Sequence, residues 1–314
     1  MRARHFASAV AVAAAVVCAP AMAQVQRSFV ASYGNDSNVA TNCGFSAPCR
    51  GFTAAHGVTN SNGEIVALDS AGYGAITITK SISILSAPGF YAGISVASGN
   101  AVTIATAAVK VRLSGLKINA TGGAPIGVNM TNGAALNIDN CAFTGFQTAV
   151  LVNTGAQVRI SGSLFTNNAN GASFDGGANV AIANSEFLGN TSTGVILPGG
   201  TATTTSVVVT NSVASHSSGT GFLALAQFAG ADLHLTVSNS SSDSNNFGFV
   251  SATTVAGASS IVVVGSSKAT RNGVNGFVQS AGGGGTAIFR SAGNNVVSDN
   301  GADTSGTITN IGTM

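Results

Sequence analysis

Three short alternating runs, Leu136-Asn137-Ile138, Val158-Arg159-Ile160 and Val180-Ala181-Ile182, begin 22 residues apart, and this fixed step constrains the fold more than any other feature. The series continues through Val207, Leu235 and Val262 with steps of 27, 28 and 27. A second column, Phe143, Phe165 and Phe187, keeps the step of 22. A third opens each time on a glycine before apolar residues: Gly194-Val195-Ile196, Gly221-Phe222-Leu223, Gly248-Phe249-Val250 and Gly276-Phe277-Val278. From Glu64 onward no helical periodicity occurs. Runs such as Ala75-Ile76-Thr77-Ile78-Thr79 alternate with period two, bounded by Gly, Asn and Ser, as half-buried strands do.

Each repeat therefore holds about three short strands and no helix, which is one coil of a parallel β-helix whose strands pair with their equivalents in the next coil. The sequence predicts an all-β, right-handed parallel β-helix solenoid of about ten coils of 22–28 residues over 64–310, a rod about 50 Å long at ~4.8 Å per coil. Phe143, Phe165 and Phe187 should stack inside it. Asn140, Asn184, Asn211 and Asn239 recur at a strand end, where Asn tolerates the left-handed turn conformation and would stack its amides. Leucine-rich repeats would need Leu at positions held here by Gly, Ala, Ser and Thr. A WD-type propeller and an outer-membrane barrel would need Trp, which is absent.

Stacking also accounts for the composition. Lys+Arg number 12 and Asp+Glu 10, so 7% of residues are charged against about 25% in ordinary globular chains. A charge repeated in a column would repel itself at the coil spacing, whereas Asn, Ser, Thr and Gly stack without that cost. A hydrophobic content of 45% excludes a disordered chain. A net charge of +2, with no basic run, gives no reason to expect nucleic acid as a partner.

The N-terminus reads as a secretory signal over 1–23: Arg2 and Arg4, an apolar stretch Phe6 to Val17, and Ala21-Met22-Ala23 before a cut at Gln24. Cys18 falls in the removed peptide. The mature chain then carries no integral membrane segment and is expected to be secreted, in the periplasm or outside a bacterial cell. Cys43 and Cys49 are the disulfide candidates of that oxidising setting, while Cys141 sits in a strand pattern as a small buried hydrophobe. Residues 24–63 are expected to form an N-terminal strand near Phe29-Val30-Ala31 and a short amphipathic capping helix within Pro48 to Val58, before the β-helix proper at 64–314. The segment Thr304 to Met314 offers no obvious cap.

The N-terminal motifs Phe29-Val30-Ala31-Ser32-Tyr33-Gly34-Asn35-Asp36-Ser37, Pro48-Cys49-Arg50, Gly63-Glu64-Ile65-Val66 and Ala71-Gly72-Tyr73-Gly74 resemble the opening of secreted bacterial right-handed parallel β-helix proteins of the pectin-lyase-like superfamily. The resemblance implies the fold but no single activity. Lyases of that superfamily typically hold Ca²⁺ with clustered carboxylates and use an Arg or Lys base, and hydrolases use close Asp or Glu pairs. Here no two acidic residues share a column in neighbouring coils, and no Asp-x-Asp pair occurs. The sequence assigns no catalytic residue, metal ligand or cofactor.

The best polar constellation is basic. Arg112, Asn137 and Arg159 share an outward column, with Asp139 one diagonal away. Two Arg about 10 Å apart could grip successive acidic groups of a polyuronate; the competing reading is a surface Arg159–Asp139 pair with Arg112 solvated. His56, His216 and His234 are scattered and read as solvated or turn residues, and Gly282 to Gly285 as a flexible turn. The sequence favours a non-enzymatic secreted rod that binds a cell-surface or extracellular polymer or partner. The alternative is a polysaccharide lyase or glycoside hydrolase acting on an acidic polysaccharide such as pectin.

Overall fold

The computed structural model describes residues 24–312; the expected signal segment, with Arg2, Arg4 and Cys18, lies outside the described residues. Three all-parallel sheets wind around one core. The chain visits them in the same order in every coil, giving one sheet of 12 strands and two of 10. Numbered by their strands in the first sheet, the ten complete coils start at Thr59, Ile82, Lys110, Ala135, Gln157, Asn179, Thr204, Asp232, Ser259 and Thr286. Two further strands of that sheet, Val25–Val30 and Ile308–Asn310, pair at its ends. The repeat steps read from the sequence are the register itself: Leu136 lies beside Val158, Val158 beside Val180 and Val180 beside Val207.

The core follows the same columns. Phe143 and Phe165 stack at 5.0 Å and 1°, and Phe165 and Phe187 at 4.6 Å and 8°, offset aromatic contacts that add to the area they bury. This stack ends in the second sheet at Phe187, whose neighbour in the next coil is Ala214. A new stack starts across the core in the third sheet, with Phe222 and Phe249 at 5.1 Å, so the ring lost at Ala214 is offset by one gained where Phe222 follows Val195. The recurrent glycines of the third sheet are required by close approach. A Cβ on Gly171 would lie 2.5 Å from the Gly194 carbonyl oxygen and 2.6 Å from a Phe187 ring carbon.

From coil four onward, two of the three corners are held by side-chain ladders. Asn140, Asn184, Asn211 and Asn239 take the left-handed conformation at the first corner, with φ between 48° and 53°. Their amides do not form the ladder; the serine that follows does. Ser163 N donates to Ser185 Oγ at 3.3 Å, Ser185 N to Ser212 Oγ at 3.2 Å, Ser212 N to Ser240 Oγ at 3.1 Å and Ser240 N to Ser267 Oγ at 3.2 Å. Each of these hydroxyls donates in turn to the carbonyl two residues back, as Ser212 does to Thr210 at 2.8 Å. Cys141 occupies the first position of this column: its N–H donates to Ser163 Oγ at 3.2 Å and its thiol lies 3.4 Å from the Asp139 carbonyl. Burial pushes the thiol up to about 12, which leaves it protonated and unreactive.

The stacked amides are at the second corner instead, on Asn168, Asn190, Asn245, Asn272 and Asn300. Asn168 Nδ2 donates to Asn190 Oδ1 at 3.3 Å, Asn245 Nδ2 to Asn272 Oδ1 at 3.3 Å and Asn272 Nδ2 to Asn300 Oδ1 at 2.8 Å, while the same oxygens accept backbone N–H groups. The column is broken once, by Ser217, whose hydroxyl is buried without a partner.

At the N-terminal end, the helix Phe52–Val58 buries Phe52, Ala55, His56 and Val58 against the first coils, a capping arrangement that covers the open core. Cys43 and Cys49 are disulfide-bonded beneath it. Asp36 accepts the N–H groups of Arg50 at 2.8 Å and Gly51 at 2.9 Å. Asp69 accepts from the Ser32 N–H at 2.8 Å and from the Ser32 and Tyr73 hydroxyls. Desolvation opposes ionisation of Asp69, but these hydrogen bonds and the Arg50 charge outweigh it and hold the carboxyl below its ordinary range. No described helix is long and apolar enough to cross a membrane.

Candidate functional site on the middle coils

Arg112, Asn137 and Arg159 are brought together on the outer face of the first sheet, with Asn137 in register between the two arginines. All three are exposed, because period-two alternation turns Val111, Leu136 and Val158 inward. Asp139 pairs with Arg112, not with Arg159: Arg112 Nε lies 3.0 Å from Asp139 Oδ2, and Ser161 Oγ donates to Asp139 Oδ1 at 2.7 Å. The diagonal from Asp139 reaches either arginine. Ser161, beside it in the next coil, occupies the oxygen on that side and leaves the other to Arg112. Such an exposed pair contributes about 0–1 kcal/mol. Among the described residues Arg159 makes no ion pair, so the column retains one free guanidinium and one that is half neutralised.

The histidines are dispersed but not uniformly solvated. His216 sits in a left-handed turn at φ 56°, and His234 Nε2 lies 3.0 Å from Asp232 Oδ2 on the first sheet. His56, expected to be solvated, is buried in the capping helix, where its Nε2 accepts from the Thr79 N–H at 3.4 Å. Burial, and then the Lys80 charge, hold it at about 4, so it stays neutral.

Charge is not spread evenly along the rod. Between residues 80 and 159 the chain carries Lys80, Lys110, Arg112, Lys117 and Arg159 against Asp139 alone. From 160 to 312 it carries Lys268, Arg271 and Arg290 against Asp175, Glu186, Asp232, Asp243, Asp299 and Asp303. The strands of the third sheet hold no charged residue except Asp175, at a strand end, and Asp303, within Ala302–Ser305. Asp175 is spent on structure, accepting from the Gly176 and Gly200 N–H groups at 2.8 and 2.9 Å and from Thr201 Oγ1 at 2.8 Å. Among the described residues no three His, Cys, Asp or Glu side chains gather to hold a metal ion. The donor set of a calcium-dependent lyase is therefore not found there, and no chemical step through a metal follows from this geometry.

Two shallow depressions on the middle coils escaped the sequence reading. One, of about 330 Å³, lies at the first corner between Pro88, Gly89 and Phe90 on one side and Ser114, Gly115 and Asn140 on the other. The second, of about 390 Å³, lies on the second sheet and is lined by Tyr91, Asn119, Thr144 and Thr166. Lys117 lines both. Asn119, Thr144 and Thr166 share a column beside the phenylalanine stack, but no repeat marks Tyr91 or the corner loop. The only signal was an adjacent aromatic pair, Phe90-Tyr91, in a chain with three Tyr and no Trp.

A family model described as the right-handed β-helix region matches residues 92–300. Among solved structures, the crystal structure of pectate lyase Pel9A is similar over 88% of this chain and 80% of that chain, with a TM-score of 0.58 and 16% identity, a likeness of fold. No curated protein matches the chain.

Proposed function

The chain belongs to the right-handed β-helix family, and on that premise we propose that it is an exported rod that binds an acidic polysaccharide along the flank of its middle coils without cleaving it. The observation that carries this reading is the band of five cations against one carboxylate between residues 80 and 159, on a chain whose remaining charges lean acidic. Cations fixed on rigid strands attract a polyanion and keep register with its repeating charges. Arg112 and Arg159, two coils apart on one face, are placed to meet carboxylates about 10 Å apart.

A second reading, a polysaccharide lyase, is favoured by the likeness to a pectate lyase and opposed by the spread-out carboxylates. Polygalacturonate with and without Ca²⁺ separates the two. Co-sedimentation or calorimetry should register binding that weakens with salt and falls about tenfold in an Arg112→Ala/Arg159→Ala variant. Unsaturated-uronate absorbance and reducing ends should stay at the level without protein. Turnover would establish the lyase reading, and absence of both binding and turnover would remove the polysaccharide from consideration.

A further inference from the structure

The loop Ala87–Tyr91 is an exception at the first corner. From coil three to coil nine that corner takes one or two residues between strands, whereas here five intervene between Ile82–Ser86 and Ala92–Val96. The loop ends in two aromatic side chains that stay in solvent, Phe90 at 44% and Tyr91 at 45% exposure. Exposed aromatics are costly to leave unpartnered on a rod, and Tyr91 is held in place. The Tyr91 N–H donates to Ser70 Oγ at 3.0 Å, and its hydroxyl donates to Asn119 Oδ1 at 3.2 Å. Ser95 Oγ donates to the same amide oxygen at 2.8 Å, fixing Asn119 in turn. Beneath the ring is Gly93, where a Cβ would come within 2.4 Å of Tyr91 Cε1. The absence of that side chain lets the ring lie against the second sheet with its outer face open to solvent.

Gly93 is in register with Lys117 in the next coil. The platform and the cation are therefore neighbours on one sheet, about 4.8 Å apart along the rod. Lys117 makes no ion pair among the described residues and lines both depressions, the Phe90 side and the Tyr91 side. Asn119 and Thr144 add polar groups along the second.

We propose that Tyr91, Lys117 and Asn119 form a sugar subsite for a carboxylated pyranose, a uronic acid unit of a glycan. A pyranose presents a face of C–H groups that stacks on an immobile aromatic ring. Its ring hydroxyls suit Asn119 and Thr144, and its carboxylate suits a lysine held beside the platform. A flat ring with one cation at its edge selects a sugar that is apolar on one face and anionic at its rim. This subsite rests on the reading that the partner is an acidic polysaccharide, and it places the recognition on the second sheet, around the corner from Arg112 and Arg159.

Calorimetric titration of the full chain with a galacturonate trimer, and with a neutral galactose trimer as control, tests it. The acidic trimer should bind at least tenfold more tightly than the neutral one. Tyr91→Ala and Lys117→Gln should each weaken it about tenfold or more, while Tyr91→Phe, which keeps the ring, stays within a few-fold of the parent. Arg112→Ala/Arg159→Ala, around the corner on the first sheet, should weaken trimer binding less than Tyr91→Ala or Lys117→Gln does. Loss of binding in the arginine variant but not in Tyr91→Ala or Lys117→Gln would overturn the subsite and leave the flank-binding reading standing. Equal affinity for both trimers would overturn the uronate assignment. No binding of the trimer together with retained binding of the polymer would overturn the subsite alone, and loss of both would overturn the two readings together. Thermal unfolding of each variant, expected within a few degrees of the parent, separates lost binding from lost fold.

Discussion

Coils two and three differ from coils four to nine in what holds their corners. From Cys141 onward every first corner is tied to the next by the serine column, and from Asn168 the second corner is tied by amides wherever Ser217 does not intervene. Growth from 22 to 27 or 28 residues per coil is absorbed by longer strands and by the third corner, as at Pro198–Thr203. Coils two and three precede both ladders. In coil two the first corner accommodates a five-residue loop carrying the exposed Phe90 and Tyr91, and the two depressions that run from this loop past Lys117 begin there. A corner whose buried N–H groups are satisfied by the neighbouring coil cannot change length without orphaning them, so the five-residue insertion appears where the ladders are absent.

The sharpest way to break this contrast is insertion. Three residues added after Asn211, inside the serine column, should cost about 4 kcal/mol or prevent folding. The same insertion after Gly89 should cost less than about 1 kcal/mol in urea unfolding. Equal costs would show that the ladders do not dictate where the chain tolerates change. Asn272→Ala comes next: it removes amide contacts to Asn300 and to the Ser242 carbonyl at 3.1 Å and strips the Asn245 N–H of its acceptor, so a loss of about 2–4 kcal/mol is expected. Asn132→Ala, at an exposed position in the earlier coils, serves as the contrast and should fall within about 0.5 kcal/mol.

On the side without ladders, His56 gives a pH test. Its folded value near 4 lies below 6.5. The unfolded chain therefore binds a proton that the folded chain refuses, and stability present above about pH 6.5 is lost as pH falls towards 4. The loss is at most about 3 kcal/mol. A His56→Gln variant should flatten that slope; an unchanged slope would place the acid sensitivity elsewhere. Cys141→Ser should have the smallest effect, within about 1 kcal/mol, since it installs the column's own residue at its first rung. A destabilisation beyond about 2 kcal/mol would mean the sulfur packs in a way a hydroxyl cannot replace.

The architecture was legible because a solenoid writes its register into spacing: the steps from Leu136 to Val262 and the stacking of Phe143, Phe165 and Phe187 needed no three-dimensional information. The ladders were half legible. Asn140 and its equivalents marked the left-handed corner, but a turn residue and a stacking residue are different requirements, and the amides that stack are those of Asn168 and its equivalents, whose period was equally present. The partner of Asp139 was not legible, because register places it diagonal to both arginines and only the Ser161 hydroxyl breaks the tie. Tyr91, Lys117 and Asn119 lie in a stretch where periodicity lapses, and their meeting depends on a loop conformation and on the missing side chain of Gly93.

Ser217 and the relocation of the phenyl stack fall at the same junction, between coils six and seven. Across that one interface neither amide nor ring continuity is kept, and the serine column at Ser185 and Ser212 is the side-chain ladder that crosses it. In a solenoid, where stability is a sum over nearest-neighbour interfaces, such a junction is a fault line. Because the three sheets still pair across it, it is the expected boundary at which the block bearing the cations would part from the rest when the molecule comes apart.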